Sequence, residues 1–277
     1  MMDIPILLFN TLLLRPYVFV FLAAAVFCAH RLIGWHRTAW FFSLASLTSF
    51  LCEYTSTRTG IPFGWYDYTG ATADRELYLL NIPFIVPISF AFLLFASYCL
   101  ALWLVLPARS PQPGGHVRWP HLAFPVEART SWTVTGLSVL FALLLDMVID
   151  PVALRGDQWF LGQLYTYWDP GVHFGVPVTN YLGWILMGAL SLALYFPMDR
   201  HLPPSPIRDR SVTGDVLLGC GLYYGVLCFN LVMTFWIGES LQGMAGMLMY
   251  LPVTALFLLR WFDRLPFPSL AVSADHS

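Results

Sequence analysis

Residues 134–151 read VTGLSVLFALLLDMVIDP, an apolar run that closes on Asp146, Asp150 and Pro151. Two carboxylates four residues apart share one face of a helix. Pro151 predicts the end of that helix, because the residue before a proline is pushed out of the α region. On insertion scales a carboxylate near the bilayer centre costs about 2.5–3.5 kcal/mol. A pair on one face therefore needs a reason. Either both are solvated acids at the headgroup boundary, or they serve chemistry. Asp146 lies a full turn deeper than Asp150, which weakens the first explanation for it.

Outward from this stretch the chain keeps the same character. Its 277 residues are 58% hydrophobic and only 11% charged, against about 25% charged in soluble domains. Mean hydropathy is +0.66. The composition predicts an all-α polytopic membrane bundle forming one domain over 1–277, with its motifs between about 50 and 190 and a disordered tail over 264–277. Seven segments approach the roughly 20 apolar residues a crossing needs: 16–33, 38–54, 82–106, 131–150, 177–196, 214–237 and 241–262. Ile4–Leu14 is too short to cross and is expected at the interface. The first thirty residues lack a basic leader region and a small-residue cleavage site, so no cleaved signal is expected.

All fourteen basic residues are arginine. With seven crossings, Arg31, Arg37, Arg109, Arg118, Arg129, Arg200, Arg208, Arg210, Arg260 and Arg264 fall on one side, and Arg15, Arg58, Arg75 and Arg155 on the other. That imbalance predicts the N-terminus outside and the C-terminus in the cytoplasm. The Arg-rich connections 107–130 and 197–213 read as solvated linkers. The other side carries two long aromatic connections, 55–81 and 152–176. They can form an aromatic belt at the headgroups, or re-entrant segments folded over a cavity. Their length and apolarity favour the cavity. Each follows an acid at a span end, Glu53 or Asp150, which suggests a parallel internal repeat.

Glu53, Asp146 and Asp150 are the candidate catalytic residues. Two neighbouring carboxyls resist ionising together, so such a pair can keep one proton at neutral pH and donate it. Trp65, Tyr66, Tyr68, Trp159, Tyr167, Trp168 and Trp184 are candidate stacking residues for a flat apolar substrate, with Asn180 beside them. Aromatic faces also stabilise a developing cation. Asn230 reads more readily as an interhelical hydrogen-bonding residue, and Gly221 and Gly225 as a close helix contact. Five scattered cysteines without a C-x-x-C read as small hydrophobes, and no histidine pair has metal-ligand spacing on a helix. No metal is expected. There is no His-box and no dinucleotide fingerprint, and without lysine no retinal Schiff base. What remains is cofactor-free acid–base chemistry on an apolar substrate, or transport. Nothing points to nucleic acid.

Residues Glu53–Tyr68, with Gly60-Ile61-Pro62-Phe63-Gly64, carry an E-x-x-x-x-x-T-G-x-P-F-G-x-Y-x-Y pattern. This resembles the signature of the integral-membrane carotenoid biosynthesis family, whose characterised members are carotenoid 1,2-hydratases of the deinoxanthin and bacterioruberin pathways. Pro83 and Pro87, the D-x-x-x-D-P of Asp146–Pro151, and Gly175–Trp184 extend the match over roughly 50–190. Two departures bear on which carotenoid end is accepted: His173-Phe174 stands where Tyr-Tyr is expected, and Trp159-Phe160-Leu161 replaces a Trp-x-Trp. The resemblance implies a hydro-lyase of a prokaryotic plasma membrane. It would protonate C2 of a linear, lycopene-like or longer carotenoid and capture the C1 cation with water, alongside membrane lipid and other carotenoid enzymes. A cyclase would quench the same cation internally. A carotenoid-binding or transport protein would use the acids for protons or counter-ions.

Overall fold

The computed structural model describes residues 3–108, 121–203 and 211–262. It is a helical bundle. The order is α1 (Ile4–Leu14), α2 (Pro16–Thr59), β1 (Tyr66–Tyr68), β2 (Tyr78–Leu79), β3 (Ile82–Pro83), α3 (Ile85–Val105), α4 (Val126–Arg129), α5 (Trp132–Ala153), a 3-10 turn at Gly156–Gln158, β4 (Tyr165–Tyr167), α6 (Val178–His201), α7 (Thr213–Trp236) and α8 (Ser240–Trp261). Six of these helical segments are long and apolar enough to cross a membrane.

The first of them is two rods. A straight helix of the 44 residues in α2 would measure about 66 Å, against a hydrocarbon core of about 30 Å. Gly34 breaks it with φ 77° and ψ 165°, a region essentially reserved for glycine. Tyr17 and Phe21 from its beginning and Ser49 and Glu53 from its end line the same cavity. The chain therefore folds back at Gly34, and seven apolar rods result. The expected tail over 264–277 lies outside the described residues.

α3 is the axis of the bundle. Every residue from Phe90 to Trp103 is buried, and the helix packs against α2, α5, α7 and α8. A helix that is apolar all round is one that neighbours surround. Close approach is made by Gly219, where an added Cβ would lie 2.3 Å from Cys99 Sγ. Gly221 and Gly225, expected at such a contact, have nothing within 4 Å; they lie on a different face of α7.

One end of the bundle is closed by buried ion pairs. Asp199 accepts from Arg37 Nε at 2.5 Å and from Arg129 Nε at 2.8 Å. Arg37 also reaches the carbonyls of Leu202 and Pro203, and nearby an exposed Arg31 side chain pairs with buried Asp215. The described parts of the connections read as solvated linkers are solvated only in part: His121, Glu127, Arg200 and His201 are exposed, whereas other positions are packed. Leu122, Arg129, Thr130, Val212 and Thr213 are all buried, because the arginines there satisfy carboxylates and helix-end carbonyls rather than water.

At the other end Arg15 holds Glu76 through Nε (3.1 Å) and Nη2 (2.9 Å) and donates to the Leu161 carbonyl. The two aromatic connections are thereby fastened to the start of α2. They do fold over a cavity, but by pairing with each other. β1 and β4 form an antiparallel ribbon with Tyr66 opposite Tyr167, Asp67 opposite Thr166 and Tyr68 opposite Tyr165.

Pro151 does not end α5, which continues to Ala153. A proline inside a helix removes the N–H owed to the carbonyl four residues back. Here that carbonyl belongs to Met147, and His173 Nε2 lies 3.1 Å from it. The carbonyl can only accept, so the ring donates from Nε2.

Candidate active site

Alternation along a strand sends residues i and i+2 to the same face. In the ribbon this turns Tyr66, Tyr68, Tyr165 and Tyr167 inward together, over the ends of α2 and α5. The Tyr66 and Tyr68 hydroxyls donate to Glu53 Oε2, the latter at 2.8 Å. The Tyr165 hydroxyl donates to Asp150 Oδ1 at 2.8 Å and that of Tyr167 to Oδ2 at 3.0 Å. Asn180, at the start of α6, places Nδ2 at 2.8 Å from both Asp146 Oδ2 and Asp150 Oδ2. Burial, reinforced by the carboxyls beside them, pushes all four tyrosine hydroxyls above their ordinary range. They remain neutral donors.

Below the tyrosines lies a cavity with about 1070 Å³ of empty space, its open mouth included. Phe21, Phe90, Phe92, Trp159, Trp184 and Phe229 supply much of its wall. Glu53, Asp150 and Asn180 are on its surface. An apolar slot ending in carboxyls and phenols suits a hydrocarbon whose terminus is to be attacked by acid.

A model of the carotenoid biosynthesis protein family matches residues 12–252. This chain belongs to that family. The bisanhydrobacterioruberin hydratase of Haloarcula japonica (strain TR-1) is 30% identical over 203 residues, which are 73% of this chain and 59% of the relative. The matched part of the chain thus spans about 59% of that relative's length. No solved structure matches the chain.

Within this carotenoid biosynthesis protein the structure brings Glu53, Asp150, Tyr66, Tyr68, Trp159, Tyr167, Asn180 and Trp184 to one cavity. Three expected site residues stand elsewhere. Asp146 is fully buried behind Asp150 and touches the site through Asn180. Trp65 and Trp168 lie on the outer face of the ribbon, stacked at 5.0 Å. Trp168 Nε1 donates to Asp67 Oδ2 at 2.6 Å. They brace the ribbon from outside, because they precede and follow inward-facing tyrosines by one residue.

Sequence reasoning missed Tyr165, although its i, i+2 relation to Tyr167 is the signal that would have found it. It also missed Tyr17 and Phe229, stacked at 5.3 Å in the cavity wall. They come from α2 and α7, and no spacing in the chain connects them. Asn230 lines the cavity and donates to Val226 in its own helix at 2.9 Å, rather than to a neighbouring helix.

Proposed function

We propose that this protein adds water across the terminal C1=C2 bond of a linear carotenoid, as a hydro-lyase. The observation that carries this reading is the carboxyl–tyrosine cluster at the head of an apolar, aromatic cavity. The relative's activity points the same way. Proton transfer from a carboxyl to C2 leaves a tertiary cation at C1. Tyrosine and tryptophan faces stabilise such a charge where water cannot. One water then captures it as a tertiary alcohol and releases a proton to a carboxylate. The sum is alkene plus water giving alcohol, with no change of oxidation state overall. The substrate enters from lipid, and the water from the end capped by the ribbon.

The test is expression in a lycopene-producing host with mass analysis of the pigment. A product heavier by one water supports hydration, and in oxygen-18-labelled water it carries the heavy oxygen. A product of unchanged mass and altered spectrum overturns hydration in favour of cyclisation. Pigment that co-purifies unaltered overturns catalysis in favour of binding.

A further inference from the structure

The acid with its two tyrosines occurs twice, related by a local two-fold through the Asp67–Thr166 pair. Glu53 stands 13 residues before Tyr66, and Asp150 stands 15 before Tyr165. The two copies are not equivalent in what surrounds the acid. Asp150 is met on both oxygens: Tyr165 on Oδ1, Tyr167 and Asn180 on Oδ2. A carboxyl that receives three donors is held as an acceptor, and of its roughly four lone-pair sites one, on Oδ1, is left for a water. Glu53 receives both of its tyrosines on Oε2. Its Oε1 takes no hydrogen bond among the described residues, and it is not one of their sealed, partnerless atoms. Glu53 lines the cavity, so this oxygen is the open one.

The backing differs too. One turn before Asp150 stands Asp146, its carboxyl against that of Asp150 and Asn180 bridging the two. One turn before Glu53 stands Ser49, a buried hydroxyl without a partner. A second carboxyl and an amide thus stand behind Asp150, and neither stands behind Glu53.

We infer that the two copies divide the reaction: Glu53 Oε1 delivers the proton to C2, while Asp150 faces C1 and takes a proton from the attacking water. This rests on the hydration reading above. In the first step the Glu53 O–H bond breaks and the alkene π pair forms the C2–H bond. In the second the water oxygen bonds to C1 and its proton passes to Asp150. Glu53 is left a carboxylate and Asp150 a carboxylic acid, and transfer of one proton from Asp150 to Glu53 through exchange with water restores both. Asn180 is a positioning residue that keeps Asp150 an acceptor.

The division predicts that protonation survives the loss of Asp150. The experiment gives the full-length protein in detergent a linear carotenoid in D₂O, and reads hydrated product and deuterium at C2 of recovered substrate. Asp150→Asn should lose hydration by about 100-fold or more, yet still wash deuterium into recovered substrate, because the cation can return a proton to the Glu53 carboxylate. Glu53→Gln should show neither. Glu53→Ala, which guards against a misfolded amide, should regain exchange with added acetic acid as an external proton donor. Exchange in Glu53→Gln but not in Asp150→Asn overturns the assignment, as does its loss in both. So does failure of acetic acid to rescue a normally accumulating Glu53→Ala protein. A wild type that hydrates no linear carotenoid fails the underlying reading instead, whatever the variants do.

Discussion

Tyr165 shows what a single hydroxyl is worth here. Its ring touches those of Tyr66, Tyr68 and Tyr167, and its hydroxyl is the donor on Asp150 Oδ1. Phenylalanine keeps the ring contacts and removes the donor. A hydrogen bond to a charged group contributes about 1.5–3 kcal/mol. Tyr165→Phe should therefore lower conversion by about 10-fold or more while the amount of protein in the membrane holds. Trp168→Phe changes the outer face of the same ribbon and should leave conversion within about two-fold, with a modest loss of stability from the Asp67 hydrogen bond. Pigment analysis normalised to protein on an immunoblot separates the two. Equal losses of activity for both would place the ribbon's inner and outer faces on the same footing and contradict the site as described.

At the scale of elements, two backbone devices hold the site in place. The first is the α5 end. If His173 stands in for the N–H that Pro151 lacks, the two residues are energetically coupled. His173→Phe leaves a partly enclosed carbonyl unpaired, a loss of about 1–3 kcal/mol. In a Pro151→Ala background the alanine N–H can return to Met147, so the same histidine change should cost much less. A double-mutant cycle on detergent-solubilised melting temperatures measures this; additive effects would show that the ring and the carbonyl are mere neighbours. The second device is the break in α2. Gly34 adopts φ 77° and ψ 165° with open space around its Cβ position, so an added methyl meets conformational strain and not a clash. Strain of that kind is about 1–3 kcal/mol. Gly34→Ala should lower the melting temperature without changing the mass of the product made.

Considered as a whole, the molecule is polarised. Asp199 with Arg37 and Arg129 closes one end, and the tyrosine ribbon with Glu53 and Asp150 closes the other. The arginine imbalance predicts that the ribbon faces outward and the ion-pair end faces the cytoplasm. Single cysteines at Ala71 and Asp169 in a cysteine-free background should then react with an impermeant maleimide added to whole cells. One at His121 should react only after lysis. Labelling of Ala71→Cys and His121→Cys from the same side would contradict the bundle as well as its orientation.

The sequence by itself determined the membrane bundle, its seven apolar rods and the placing of Glu53, Asp146 and Asp150 towards rod ends. Each of those is a property of composition or of short spacing: twenty apolar residues can only be buried or in lipid, and a carboxylate in such a run must find a partner. The i, i+2 spacing of Tyr66 and Tyr68, and of Tyr165 and Tyr167, is present in the sequence, but it turns each pair to one face only once the two segments are extended strands. The tertiary structure alone decided that these two pairs face each other, since antiparallel pairing joins residues about a hundred positions apart and no local spacing encodes a register between distant loops. It also decided that Asp146 stands behind Asp150, that Trp65 and Trp168 look outward, and that α5 runs past Pro151. Each of those depends on which groups from other segments arrive to satisfy a carboxyl, a ring or an orphaned carbonyl, and hydrogen-bond partners are assigned only when the rods have packed.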